Sequence, residues 1–167
     1  VVEVDASGKL AVPGFVDSHV HLLGGGGEGG YHTRTPEIML TDLTLAGVTT
    51  VVGCLGTDGI TRNMMSLLAK ARGLETEGIS TYIYTGSYQV PVRTITGEVM
   101  KDLLAIDKII GAGEIALSDH RSSQPTFEEF SKLAAEVRVA GMLSGKGGVI
   151  DIHLGDGKRM LDLILRI

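Results

Sequence analysis

The chain has 167 residues, 43% hydrophobic and 21% charged, with a formal charge of −5. That length supports one domain with a sizeable core and is marginal for two. The acidic balance and the lack of any basic block argue against nucleic acid or an anionic membrane surface as partner. No apolar run approaches the roughly 18 residues of a membrane helix. A single cysteine, Cys54, precludes an internal disulfide and suits a reducing, cytoplasmic setting. Glycine, at 24 residues, is about twice its usual share, which points to tight turns and to backbone that approaches a ligand closely. The chain opens with Val1, shows no signal-peptide pattern, and reads as a piece of a longer protein.

Residues 1–12 read as a short extended hairpin around Ser7-Gly8-Lys9, the edge of a separate small β-domain ahead of the main unit at 13–167. Five β-branched apolar runs follow, at 14–22, 49–55, Ser80–Thr85, 114–118 and Val149–Leu154, with starts 31 to 35 residues apart, the size of a βα unit. Helical patterns fill the gaps. Thr35-Pro36-Glu37 reads as N-cap, proline at the first helical position and an acid in the first turn, with Gly47 closing that helix. Met64–Glu77 runs to Gly78, and residues 97–110 are amphipathic through Val99, Leu103, Ile106 and Ile110. Thr126 and Glu129 form a capping box, and a last helix begins near Lys158. Alternating strands and helices predict a parallel sheet. Length favours a five-stranded doubly wound sheet over five strands of a (β/α)8 barrel, which takes about 250 residues when whole.

His19-Val20-His21 ends the first run, with Phe15, Asp17, His19 and His21 on one strand face. Two imidazoles about 7 Å apart can converge on one cation where a strand end curves, and imidazole suits zinc and its neighbours. A lone H-x-H arises often by chance. Its place at a carboxyl end of a strand strengthens it, because functional groups of parallel α/β folds gather there. His153 holds the equivalent place on the fifth run, where a satisfied buried histidine is the plain alternative. Glu114, following Gly111-Ala112-Gly113, opens the fourth run either as a solvated junction residue or as a carboxylate aimed at a cation. The glycine run 24–30 satisfies G-x-G-x-x-G only trivially, which leaves nucleotide binding weak.

Val12-Pro13-Gly14-Phe15-Val16-Asp17-Ser18-His19-Val20-His21 resembles the opening strand of the amidohydrolase superfamily. The glycine-acid loop around Glu28, Val52-Gly53-Cys54-Leu55-Gly56-Thr57-Asp58, Thr85-Gly86-Ser87-Tyr88, Ser118-Asp119-His120-Arg121-Ser122 and His153-Leu154-Gly155-Asp156 are similar to its isoaspartyl (β-aspartyl) dipeptidase family. The resemblance covers essentially the whole chain. It implies strands one to five of a (β/α)8 metal-dependent hydrolase barrel with a remnant of a small β-domain, against the preference from length alone. It further implies two divalent metal ions, zinc, with His19 and His21 on the more buried one and His153 on the other. Glu114 stands where that family generally has a bridging carboxylated lysine. Glu28 is matched to the acid that receives the substrate's α-amino group, with Thr57 close by. Arg121 is matched to a guanidinium that fixes a substrate carboxylate, and Tyr88 to the catalytic hydroxyl that polarises the scissile carbonyl. The implied reaction is hydrolysis of β-aspartyl dipeptides by a metal-bridged hydroxide, in a cytoplasmic homo-oligomer. A cyclic-amide hydrolase of the dihydroorotase or hydantoinase type, or an inactive barrel kept as a scaffold, are the alternatives. The second histidine of the other metal and the proton-shuttling aspartate belong to later strands, and five barrel strands leave two open edges, so further chain is expected beyond Ile167.

Overall fold

A computed structural model describes residues 2–167. Its elements, in chain order, are β1 (Phe15–Val20), α1 (Leu40–Leu45), β2 (Val48–Gly53), α2 (Met64–Glu77), β3 (Ser80–Thr85), α3 (Val99–Ala105), β4 (Ile109–Leu117), α4 (Phe127–Ser144), β5 (Val149–Leu154) and α5 (Asp162–Leu165). All four strand pairs are parallel, in the spatial order β1-β2-β3-β4-β5. A doubly wound sheet reverses its order at a switch point. This sheet never does. It also curls: β1 and β5 lie four places apart, yet His19 Nδ1 reaches Asp151 Oδ2 at 2.9 Å. Unreversed order and curl make it the wall of a (β/α) barrel, present in part.

Two helices begin and end where local chemistry dictates. The Asn63 side chain accepts from Ser66 N and caps α2, and Gly78 stops it. Thr126 and Glu129 close a reciprocal capping box on α4, and Gly145, left-handed at φ 67°, ends that helix. Val51, Ile83, Ile109 and Ile115 of the sheet pack with Leu67, Leu74, Leu103 and Val137 of the helices in one buried cluster. Each such side chain contributes about 1.5–3 kcal/mol on burial. The loop between β3 and α3 lacks regular structure but is held by one buried carboxylate. Asp102 accepts from Ile95 N at 3.0 Å, from Thr96 N at 2.8 Å, from Thr96 Oγ1 at 2.7 Å and from Thr85 Oγ1 at 2.5 Å.

Several boundaries differ from those read in the sequence. The first helix starts at Leu40, not after Thr35, because the Thr35 hydroxyl is engaged by the glycine loop, accepting from Gly25 N at 2.7 Å. The third helix stops at Ala105, so Ile109 and Ile110 belong to β4. Glu114 therefore lies inside that strand and does not open it. The glycines before it are strand residues: a Cβ on Gly111 would stand 2.1 Å from Val149 O, so close approach of β5 requires glycine there. The last helix is a single turn, Asp162–Leu165. At the N-terminus, Lys9 N donates to Ala6 O across the expected turn, but residues 2–14 form no strand among the described residues, and Val1 of the 1–12 segment lies outside them.

Candidate active site

All five strands and the loops that follow them place the candidate residues together at the carboxyl side of the sheet. Glu114, 2% exposed, sits at the centre. Its Oε2 lies 3.5 Å from His19 Nε2 and 3.6 Å from His21 Nε2, and its Oε1 lies 2.8 Å from His153 Nδ1. One carboxylate on β4 thus faces histidines from β1, the residue just past its end, and β5. The Cys54 thiol, at the end of β2, is within 4.8 Å of the same ligand atoms of His19, His21 and Glu114.

The far nitrogen of each histidine is steered by a second group. His19 Nδ1 meets Asp151 Oδ2 at 2.9 Å, His21 Nδ1 meets Cys54 Sγ at 3.7 Å, and His153 Nε2 meets Asp119 Oδ2 at 3.0 Å. Such partners fix ring orientation and tautomer in metal sites. Burial, reinforced by the charge of Glu114, pushes the Cys54 thiol up, so it stays protonated beside His21. The Arg121 guanidinium beside Asp119 holds its carboxyl well below the usual carboxylate range.

The donor set fits a divalent cation. Glu114 Oε2 is buried without a hydrogen-bond partner, a state that costs about 1–3 kcal/mol or more for a charged group unless a cation supplies the missing contact. Donors 2.0–2.2 Å from a tetrahedral zinc ion stand about 3.4 Å from one another. The Oε2–histidine separations of 3.5 and 3.6 Å match that spacing. On the other side, Oε1 and His153 touch directly. Four carboxylates, Glu28, Glu114, Asp119 and Asp151, gather here against one guanidinium, leaving negative charge for cations to balance.

The remaining candidates line the approach to this centre. Glu28, on the loop after β1, receives Arg121 Nη1 at 3.0 and 2.8 Å and the Thr57 hydroxyl at 3.0 Å. Tyr88 is buried, its hydroxyl 3.1 Å from His153 Nδ1, and Arg121 lies over its ring at 5.3 Å. Burial, then the charge of Glu114, pushes the Tyr88 phenol up, which keeps it a proton donor. All eight residues singled out in the sequence lie in this one connected cluster. Reasoning from sequence missed three neighbours. Asp151 carried a signal, being two residues before His153 on the same strand face, and Asp119 stood inside the quoted Ser-Asp-His-Arg-Ser motif. Cys54 carried none.

The parallel barrel wall thus gathers three histidines and a buried carboxylate on its carboxyl side, where sites of this architecture lie. Residues 2–57 match the family model described as "Amidohydrolase family". The chain superposes with a TM-score of 0.91, at 59% sequence identity, on a β-aspartyl dipeptidase from the thermophilic, keratin-degrading Fervidobacterium islandicum AW-1. A second structure of that enzyme, in complex with the β-Asp-Leu dipeptide, matches equally well. The alignment covers 93% of this chain and 42% of the Fervidobacterium chain, so the present sequence spans less than half of that relative's length. Among the described residues no helix is long and apolar enough to cross a membrane.

Proposed function

We propose that this chain supplies metal- and substrate-binding residues of a zinc-dependent hydrolase that cleaves β-aspartyl dipeptides. The observation that carries the reading is the buried, unpartnered Glu114 oxygen set at ligand spacing from His19 and His21. The 59% identity to a dipeptidase solved with β-Asp-Leu supplies the substrate class. In this reading His19, His21 and Glu114 hold one ion, while His153 and the other oxygen of Glu114 hold a second. Zinc bound there supplies Lewis acidity toward the scissile carbonyl and makes water a nucleophile near neutral pH. Residues 13–167 form the barrel portion and residues 1–12 the edge of a small β-domain. The cytoplasmic and homo-oligomeric expectations rest on the single thiol and on the resemblance.

The protein groups divide the remaining work. A β-aspartyl dipeptide carries one free ammonium and two carboxylates. Glu28, oriented by Thr57, takes the ammonium, and Arg121 takes a carboxylate. Without substrate these two groups pair with each other. Substrate entry replaces that pair with two matched ones. The Tyr88 phenol, kept protonated, donates to the oxygen that gains charge as water adds to the amide carbon. The C–N bond then breaks, its nitrogen takes a proton, and aspartate and the second amino acid leave.

Steady-state kinetics of the zinc-loaded, full-length protein test this. β-Asp-Leu is expected to be hydrolysed at least about 30-fold more efficiently than its N-acetylated analogue, because losing a desolvated charge pair costs about 2–5 kcal/mol. Equal turnover of both would remove the role of Glu28 and favour the cyclic-amide alternative.

A further inference from the structure

Arg62 is buried, 6% exposed, and among the described residues no carboxylate lies within ion-pair distance of it. Its guanidinium is satisfied by backbone carbonyls instead. Nε donates to Leu23 O at 3.0 Å, Nη1 to Gly26 O at 3.1 Å, and Nη2 to Gly25 O at 2.9 Å and Thr35 O at 3.2 Å. All four belong to the loop between β1 and α1, whose tip carries Glu28. That loop folds back on itself. Thr35 N donates to Gly25 O at 3.0 Å, Ile38 N donates to Leu22 O at 3.2 Å, and Gly26 bridges Arg34 in antiparallel sense. Three of the Arg62 acceptors lie on the outgoing limb and one on the returning limb. The guanidinium therefore staples the base of the loop. The chain is shaped for this: Gly24 turns at φ 76°, and a Cβ there would stand 2.3 Å from Thr35 O.

Arg62 is itself rigidly mounted. The next residue, Asn63, caps α2, whose first turn buries Met64 and Leu67. The staple reaches the site directly, since a small cavity of about 50 Å³ is lined by Arg62 together with His21, Glu28, Thr57 and Tyr88. Glu28 lies two residues beyond the last stapled carbonyl, and its own carboxylate contacts are Arg121 and Thr57, the former a group that substrate displaces in the proposed reading.

We infer that Arg62 is a positioning residue for substrate choice: by stapling the glycine loop it fixes the distance between the Glu28 carboxylate and the metal centre, and so the spacing between ammonium and scissile carbonyl that a substrate must have. This deepens the function proposed above and rests on it. A planar fork with five fixed donors can span four carbonyls on two limbs, whereas a lysine ammonium with three donors cannot. The γ-glutamyl dipeptide, one methylene longer than the β-aspartyl one, measures that spacing.

The experiment compares β-Asp-Leu with γ-Glu-Leu on zinc-loaded, full-length wild type, Arg62→Lys and Arg62→Met. Wild type prefers β-Asp-Leu. In the variants KM for β-Asp-Leu is expected to rise about tenfold with a smaller fall in kcat, and the preference over γ-Glu-Leu to narrow by about the same factor, at wild-type zinc content. If Arg62→Met does not fold, Arg62→Lys, which keeps a cation at the staple, provides the same readout. A uniform loss on both dipeptides, or an unchanged preference, overturns the inference, because a merely structural role would weaken both substrates alike. Failure of wild type to hydrolyse β-Asp-Leu would instead strike the proposed function itself.

Discussion

The interior strand β4 and the two edge strands of the sheet are built on different terms. β4 is almost wholly buried, and it carries Glu114, among the described residues the one carboxylate with a buried, unpartnered oxygen. β1 and β5 are exposed or half-buried over most of their length, and they bring the histidines. A desolvated charge without a partner is held where packing on both faces gives it nowhere to relax. The histidines are each steered by a separate side chain: Asp151, Cys54 or Asp119. Rigidity by packing in the middle and by hydrogen bonding at the edges produce one site.

The sharpest way to break this contrast is Glu114→Gln, which removes the single charge facing all three histidines. Zinc affinity is expected to fall well beyond the roughly 100-fold that loss of an outer partner costs, and zinc should no longer raise the thermal midpoint. Competition with a chelator and thermal scans with and without metal measure it. Next, Ile115→Ala, a fully buried neighbour of Glu114, should cost about 2–5 kcal/mol in urea unfolding by opening a cavity in the middle strand. At the edge, Asp151→Ala leaves His19, a proposed ligand, in place but removes the partner of its Nδ1; a 10- to 100-fold loss of zinc affinity is expected, smaller than for Glu114→Gln. Equal losses for the two would erase the distinction between middle and edge. Smallest, Thr126→Ala removes a cap outside the sheet altogether and should cost about 1 kcal/mol with zinc affinity unchanged.

What could be read in the sequence was whatever has a local cause. Gly78 ends α2, and Thr126 and Glu129 open α4, because caps and stops act within a few residues. Elements failed to be legible where a distant partner decides. Thr35 looked like a helix cap until Gly25 claimed its hydroxyl. The fourth run was read as opening at Glu114, after Gly111-Ala112-Gly113, because nothing nearby reveals that Val149 O presses against Gly111. The site divides the same way. His19, His21 and His153 stand in motifs at strand ends and Glu114 within a strand after a glycine-rich stretch, whereas the pairing of His19 with Asp151 spans 132 residues and Arg62 makes its contacts across 27 to 39. The competing reading, a doubly wound sheet, was reasonable on length and is ruled out by the unreversed strand order and by the curl that brings His19 to Asp151.

Asp102 has a bearing on how the protein behaves when it breathes. One buried carboxylate ties Thr85, Ile95 and Thr96, so the irregular stretch that carries Tyr88 opens only when that tie is undone. The amides of Ile95 and Thr96 should then exchange with deuterium nearly as slowly as those of β4, although they belong to no helix or strand. A protease would find this long loop closed, and Asp102→Ala would make it the first place the chain is cut.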